Sequence, residues 1–157
     1  MLKKLQTIFK VFVIIISLTV VSKAELLNPN SNIAPSEVVK IQLTGLQKND
    51  LNFKDSGIEQ TWKFAHPNNK KVTGPLEKFK KMIYSENYKM LIEHESSEVT
   101  ILSENSNTSV YKVFILSSDK KKYSYIWHIE KVQQQSDLLG CWMTTIVSNP
   151  EYLGEVI

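Results

Sequence analysis

The chain has no arginine: its 157 residues carry 19 basic side chains, all of them lysine, against 16 acidic ones. Arginine's planar fork is the best single grip on phosphate or carboxylate, and none is available here. One cysteine, Cys141, is present, which excludes an internal disulfide. It lies in the apolar run Leu138-Leu139-Gly140-Cys141-Trp142-Met143, a setting that points to a buried, inert thiol. The three histidines and this cysteine show no ligand spacing of the His-Glu-x-x-His or Cys-x-x-Cys kind, so no metal is expected. A glycine-rich phosphate loop and a nucleophile elbow are also missing, and no cofactor is expected.

The formal charge of +3 is unevenly placed. Lys3, Lys4, Lys10 and Lys23 fall in the first 24 residues, which contain no acid. The remainder has 15 lysines against 16 acids, a balance with no electrostatic footprint for nucleic acid. Val11 to Val21 form an apolar run broken only by Ser17 and Thr19, and Ser22-Lys23-Ala24 supplies small residues at the −3 and −1 positions of a cleavage site. Basic end, short apolar core and small-residue exit read as a secretory signal over residues 1–24. The core is too short to span a bilayer, so membrane contact is expected only through this segment before cleavage. The expected address is an exported compartment, the periplasm or, in a cyanobacterial host, the thylakoid lumen. What remains suits one domain over 35–150, after a flexible lead-in over 25–34 and before a tail over 151–157.

The apolar spacing predicts helices first. Pro35 opens a helix to about Asn49, with Val38, Ile41, Leu43 and Leu46 on one face. A second helix is expected over Gly57 to Ala65, capped by Asp55 or Ser56, with Ile58, Trp62 and Ala65 buried. His66 to Pro75 reads as a polar connector. Thr73 is expected to cap a third helix carrying Leu76, Phe79, Met82 and Ile83, and a short helical turn follows near Tyr88 to Ile92. From Ser97 the period changes to 2, with strands over Glu98 to Glu104, Val110 to Leu116, Lys122 to Val132 and Leu139 to Val147. Tight turns between them imply antiparallel pairing. The fold class is therefore α+β, with helices packed on one face of an antiparallel sheet of about four strands.

These residues also carry a resemblance. Pro35-Ser36-Glu37-Val38-Val39, Ile41-Gln42-Leu43, Gly57-Ile58-Glu59 and Phe64-Ala65 open it, and Asn69-Lys70, Thr73-Gly74-Pro75-Leu76, Phe79, Met82, Tyr88, Leu91 and His94 continue it. Gly140-Cys141-Trp142-Met143-Thr144 closes it. Over nearly the whole chain after residue 24, the sequence resembles a domain-of-unknown-function family of bacteria, cyanobacteria and plants that looks like a member of the nuclear transport factor 2-like, or cystatin-like, superfamily. The resemblance implies a cone-like roll, often enclosing a pocket, in which the sheet is curved. It implies pairing of two copies through their sheets, and no particular activity. His66 departs from it, standing where a small residue, usually serine, is implied.

Two kinds of site are consistent with these residues. In the first, the domain is a binding module for a small apolar ligand held between helices and sheet, or for a protein partner on the open sheet face. Trp62, Tyr125, Trp127 and Trp142 would supply apolar surface, and Asn69, Lys70 and Thr73 polar contacts. In the second, His94, flanked by Glu93 and Glu95, shares acid–base duty with Glu59 or Glu77 in a small hydrolase, isomerase or dehydratase. The two are separated by geometry: the enzyme requires His94 and a glutamate to meet in one pocket. For each residue the plainer alternative is structural: a satisfied histidine at the helix–sheet junction, glutamates on a solvated face, aromatics in the core.

Overall fold

In the computed structural model, which describes residues 25–156, four helices precede an antiparallel sheet, an α+β arrangement. The secretory signal expected over residues 1–24 lies outside the described residues. No helix among the described residues is long and apolar enough to cross a membrane.

Helix α1 (Pro35–Gln47) starts at Pro35, whose fixed φ suits the first turn, and it buries Val38, Val39, Leu43 and Leu46. Asn49, just past its end, organises the start of α2 (Ser56–Lys63): its carboxamide oxygen accepts from the Ile58 N–H (3.1 Å) and its backbone oxygen accepts from the Gly57 N–H (2.8 Å) and the Ser56 hydroxyl (2.8 Å). Asp55 occupies the capping position in a left-handed conformation, but it does not cap. Its carboxylate is taken by the Tyr84 hydroxyl at 2.5 Å. The two helices cross so closely that a β-carbon on Gly57 would lie 1.9 Å from the Gly45 carbonyl oxygen.

The connector expected over His66 to Pro75 is instead a helix, α3 (Pro67–Thr73). Pro67 stands at its first position, and the His66 ring accepts from the Asn68 N–H through Nδ1 at 3.1 Å, doing the capping work of a serine. Thr73 does not cap the following helix, because its hydroxyl turns back to the Asn69 carbonyl at 3.0 Å. Helix α4 (Leu76–Ile83) follows with Pro75 at its cap, and a single 3₁₀ turn over Lys89–Leu91 leads to the sheet. The lead-in is also tied down: Gln60 clasps Leu27, accepting from its N–H (2.7 Å) and donating to its carbonyl (2.9 Å).

The sheet runs β1 (Ser96–Glu104), β2 (Thr108–Leu116), β3 (Lys121–Lys131), β4 (Trp142–Val147), all antiparallel, in that spatial order. Residues 151–157 were expected as a tail, yet Glu151–Glu155 form β5, antiparallel to β3. The reason is an unused edge. Strand β4 pairs with β3 only over Trp127 to Lys131, leaving Lys121 to Ser124 free for β5. Ser148 bridges the gap, its hydroxyl accepting from the Ile126 N–H at 2.8 Å. The inward face of β3 carries Tyr125, Trp127 and Ile129, and with Tyr111, Val113 and Ile115 of β2 it meets the apolar faces of α1, α2 and α4 in one core. A smaller cluster of Val132, Cys141 and Met143 keeps the thiol buried, and burial pushes its pKa up.

Candidate functional site

Segment 64–66 hydrogen-bonds to β4, with His66 N–H donating to the Thr144 carbonyl (2.8 Å) and Thr144 N–H donating to the Phe64 carbonyl (2.9 Å). This attachment launches α3 alongside the β4 edge. Asn69 fixes the helix there by donating to the Thr144 carbonyl at 3.2 Å, and the Thr73 hydroxyl in turn contacts the Asn69 side-chain oxygen at 2.9 Å. Between α3 and α4 on one side and β3–β4 on the other, the chain leaves a half-open cleft of about 430 Å³.

Much of the cleft's lining is apolar. Phe79, Met82 and Ile83 of α4 form one wall, Trp127 the floor, and Tyr88 and Leu91 the far end. Val72 and Ile146, 71% and 57% exposed, flank the mouth. A polar hub of Gln42, Thr61 and Thr144 also borders the cleft. Gln42, fully buried, accepts from the Trp127 indole N–H (2.9 Å) and the Thr144 hydroxyl (2.6 Å) and donates to the Thr61 carbonyl (3.1 Å). Its oxygen has both partners inside the protein and its amide group holds the Thr61 carbonyl, so its main part is to fix the position of Trp127 and Thr144.

The charged residue of the lining is Glu130 of β3, with Thr145 beside it at 3.5 Å. Thr145 is the extra residue of a bulge, since His128 pairs with Ile146 and Ile129 with Thr144. The buried His66 imidazole lies within electrostatic reach of Glu130. Burial pushes its pKa down, Glu130 pulls it up and Lys71 pushes it down, with a net lowering.

The residues singled out in the sequence divide between this cleft and other places. Asn69, Thr73 and Trp127 line it. Trp62 packs on Phe79, ring centroids 4.9 Å apart, and carries the Lys70 ammonium 5.4 Å above its ring. Lys70 also donates to the Lys63 carbonyl (3.3 Å), and burial and Lys63 lower its pKa. Tyr125 is buried in the core and donates to the Asn87 carbonyl (3.1 Å), while Trp142 lies under Lys131. His94 meets neither of its glutamate partners. Glu59 and Glu77 both pair with Lys80, at 3.3 and 3.4 Å, with Asp55 at 3.8 Å. His94 is buried elsewhere, donating from Nδ1 to the Leu91 carbonyl at 2.8 Å, which leaves Nε2 without a hydrogen-bond partner. None of the three lines the cleft. No group of three or more metal-ligating side chains occurs among the described residues.

Sequence reasoning missed Phe79, Met82, Leu91 and Glu130 as cleft residues. The first three belong to apolar stripes, and spacing reads a cavity wall and a packed core alike. Glu130 gave no such signal, because three residues beyond Trp127 on β3 alternation assigns it to the opposite face.

Fold and site together define an α+β domain with one side-opening apolar cleft between its helices and its sheet. The chain belongs to the family described as a domain of unknown function, DUF4864, whose match covers residues 30–147. No curated protein and no solved structure matches it.

Proposed function

We propose that this is an exported binding module that takes a small apolar ligand in the cleft between α3–α4 and β3–β4. The observation carrying this reading is the cleft itself. Its volume of about 430 Å³ falls in the range of small-molecule sites, and a largely apolar lining interspersed with polar side chains, Glu130 the charged one among them, is the usual composition of such sites. A core packed without function leaves few voids larger than a water molecule. The basic, apolar and small-residue succession of residues 1–24 supports export. The order of helices followed by a meander, with the helices on one sheet face, supports kinship with the nuclear transport factor 2-like superfamily. Nothing favours the acid–base enzyme, because His94 is engaged at one place and Glu59 and Glu77 at another, on Lys80.

The test is fluorescence of the neutral probe N-phenyl-1-naphthylamine. Its emission rises with the wild-type domain, and Met82→Trp, which fills the cleft from α4, abolishes the rise while the far-UV spectrum stays unchanged. No rise with wild type, or an equal rise with the folded variant, overturns the reading.

A further inference from the structure

The cleft is chemically lopsided. Its lining is largely apolar, its other polar residues are uncharged, and Glu130 adds one half-buried carboxylate. Among the described residues that carboxylate makes no ion pair, and its one hydrogen bond, from the Thr145 hydroxyl, is long at 3.5 Å. Lys131, next to it in sequence, and Lys71, which like Glu130 acts on His66, have other partners. Lys131 lies over the Trp142 ring at 4.7 Å, and Lys71 donates to the Asn68 side chain at 3.2 Å. His66 does not neutralise Glu130 either. Its Nδ1 accepts from a backbone N–H, and burial holds the ring below its ordinary pKa, so the ring is neutral at pH 7. A carboxylate beside apolar surface without a counter-charge is stabilised by any ligand that brings one.

Resting on the cleft reading above, we infer that the ligand is an amphiphilic amine, whose apolar body lies over Trp127, Phe79 and Met82 and whose ammonium group sits on Glu130. The Thr145 hydroxyl, on the bulge beside the carboxylate, helps fix the head group. Body and head are recognised separately: the walls supply most of the affinity, and Glu130 chooses between ligands of equal length by charge.

The test compares three probes sharing one tail, decylamine, decanol and decanoate, titrated calorimetrically at pH 7 and low salt into the wild-type domain and Glu130→Gln. The expected result is that the amine binds wild type about tenfold more tightly than the alcohol, that the carboxylate binds weakest, and that Glu130→Gln brings the amine down to the alcohol while leaving the alcohol unchanged. The unchanged alcohol also shows that the variant is folded. In wild type alone, the amine's advantage over the alcohol shrinks as salt is raised. Equal binding of amine and alcohol, tightest binding of the carboxylate, or an amine preference surviving in Glu130→Gln overturns the inference and leaves the cleft reading standing. Failure of all three probes overturns both.

Discussion

Gln42 shows how much one side chain decides in this domain. It joins α1 to α2 through the Thr61 carbonyl, to β3 through the Trp127 indole and to β4 through Thr144. Gln42→Leu leaves the indole N–H and the Thr144 hydroxyl buried without acceptors, so a loss of about 2–4 kcal/mol is expected, read as a lowered urea midpoint at unchanged slope. The two buried histidines give a pH dependence of definite sign. Burial is the largest influence on both and lowers the pKa of each, partly opposed by the Leu91 carbonyl at His94 and by Glu130 at His66, where Lys71 adds to the lowering. The unfolded chain therefore takes up protons first, beginning near the ordinary histidine value of about 6.5, and the folded state loses stability as pH falls from there toward the folded-state pKa values. Above about pH 7 both states are neutral and the effect vanishes. Urea titrations from pH 7.5 to 5 should show this decline, and His94→Asn should make it shallower.

At the scale of elements, the periods of 3.6 and 2 located α1, α2, α4 and strands β2 to β4 because each has an apolar face to bury, whereas β1 is exposed along nearly its whole length and is held by its pairing with β2. Strand β3 reads correctly because Tyr125, Trp127 and Ile129 alternate with smaller or polar residues along it. Helix α3 was not legible. It buries no residue, so it lacks the stripe that reveals a helix, and its asparagines and lysines have the composition of a loop. It forms because Pro67 and the His66 ring satisfy its first turn and Asn69 and Thr73 hold it against β4. The crossing of α1 and α2 is equally hidden, since a glycine that gives room looks like one that breaks a helix. Gly57→Ala should destabilise by about 3 kcal/mol or more, because its methyl group meets backbone and not a side chain able to swing away. Thermal unfolding checks this, and a melting temperature within a degree or two of wild type would contradict it.

At the scale of the whole molecule, β5 and the cleft both come from incomplete pairing. Strand β4 covers half of one β3 edge; β5 takes the other half, and Glu151 secures it by accepting from the Ser124 hydroxyl at 2.9 Å and from Lys112 at 3.4 Å. Glu151-Tyr152-Leu153-Gly154-Glu155 has no sustained alternation, so only the vacant edge marks it as a strand. A chain ending at Asn149 should lose hydrogen-exchange protection at Lys121 to Ser124 and keep it at Trp127 to Lys131. The cleft is the gap that α4 leaves before β3 and β4 while α3 is tied to β4, a spacing no local pattern encodes, and so the sequence marked Asn69, Thr73 and Trp127 in its lining but not the wall supplied by α4. Methionine offers the most direct measurement of the cleft. Of the four methionines, Met82 lines it, whereas Met90 and Met143 lie outside. With ¹³C-methyl methionine in the chain after residue 24, titration with decanol should shift the Met82 methyl resonance and leave that of Met143 in place. Shifts at Met143 or Met90 with Met82 unmoved, or none at all, would contradict a binding site between the helices and the sheet.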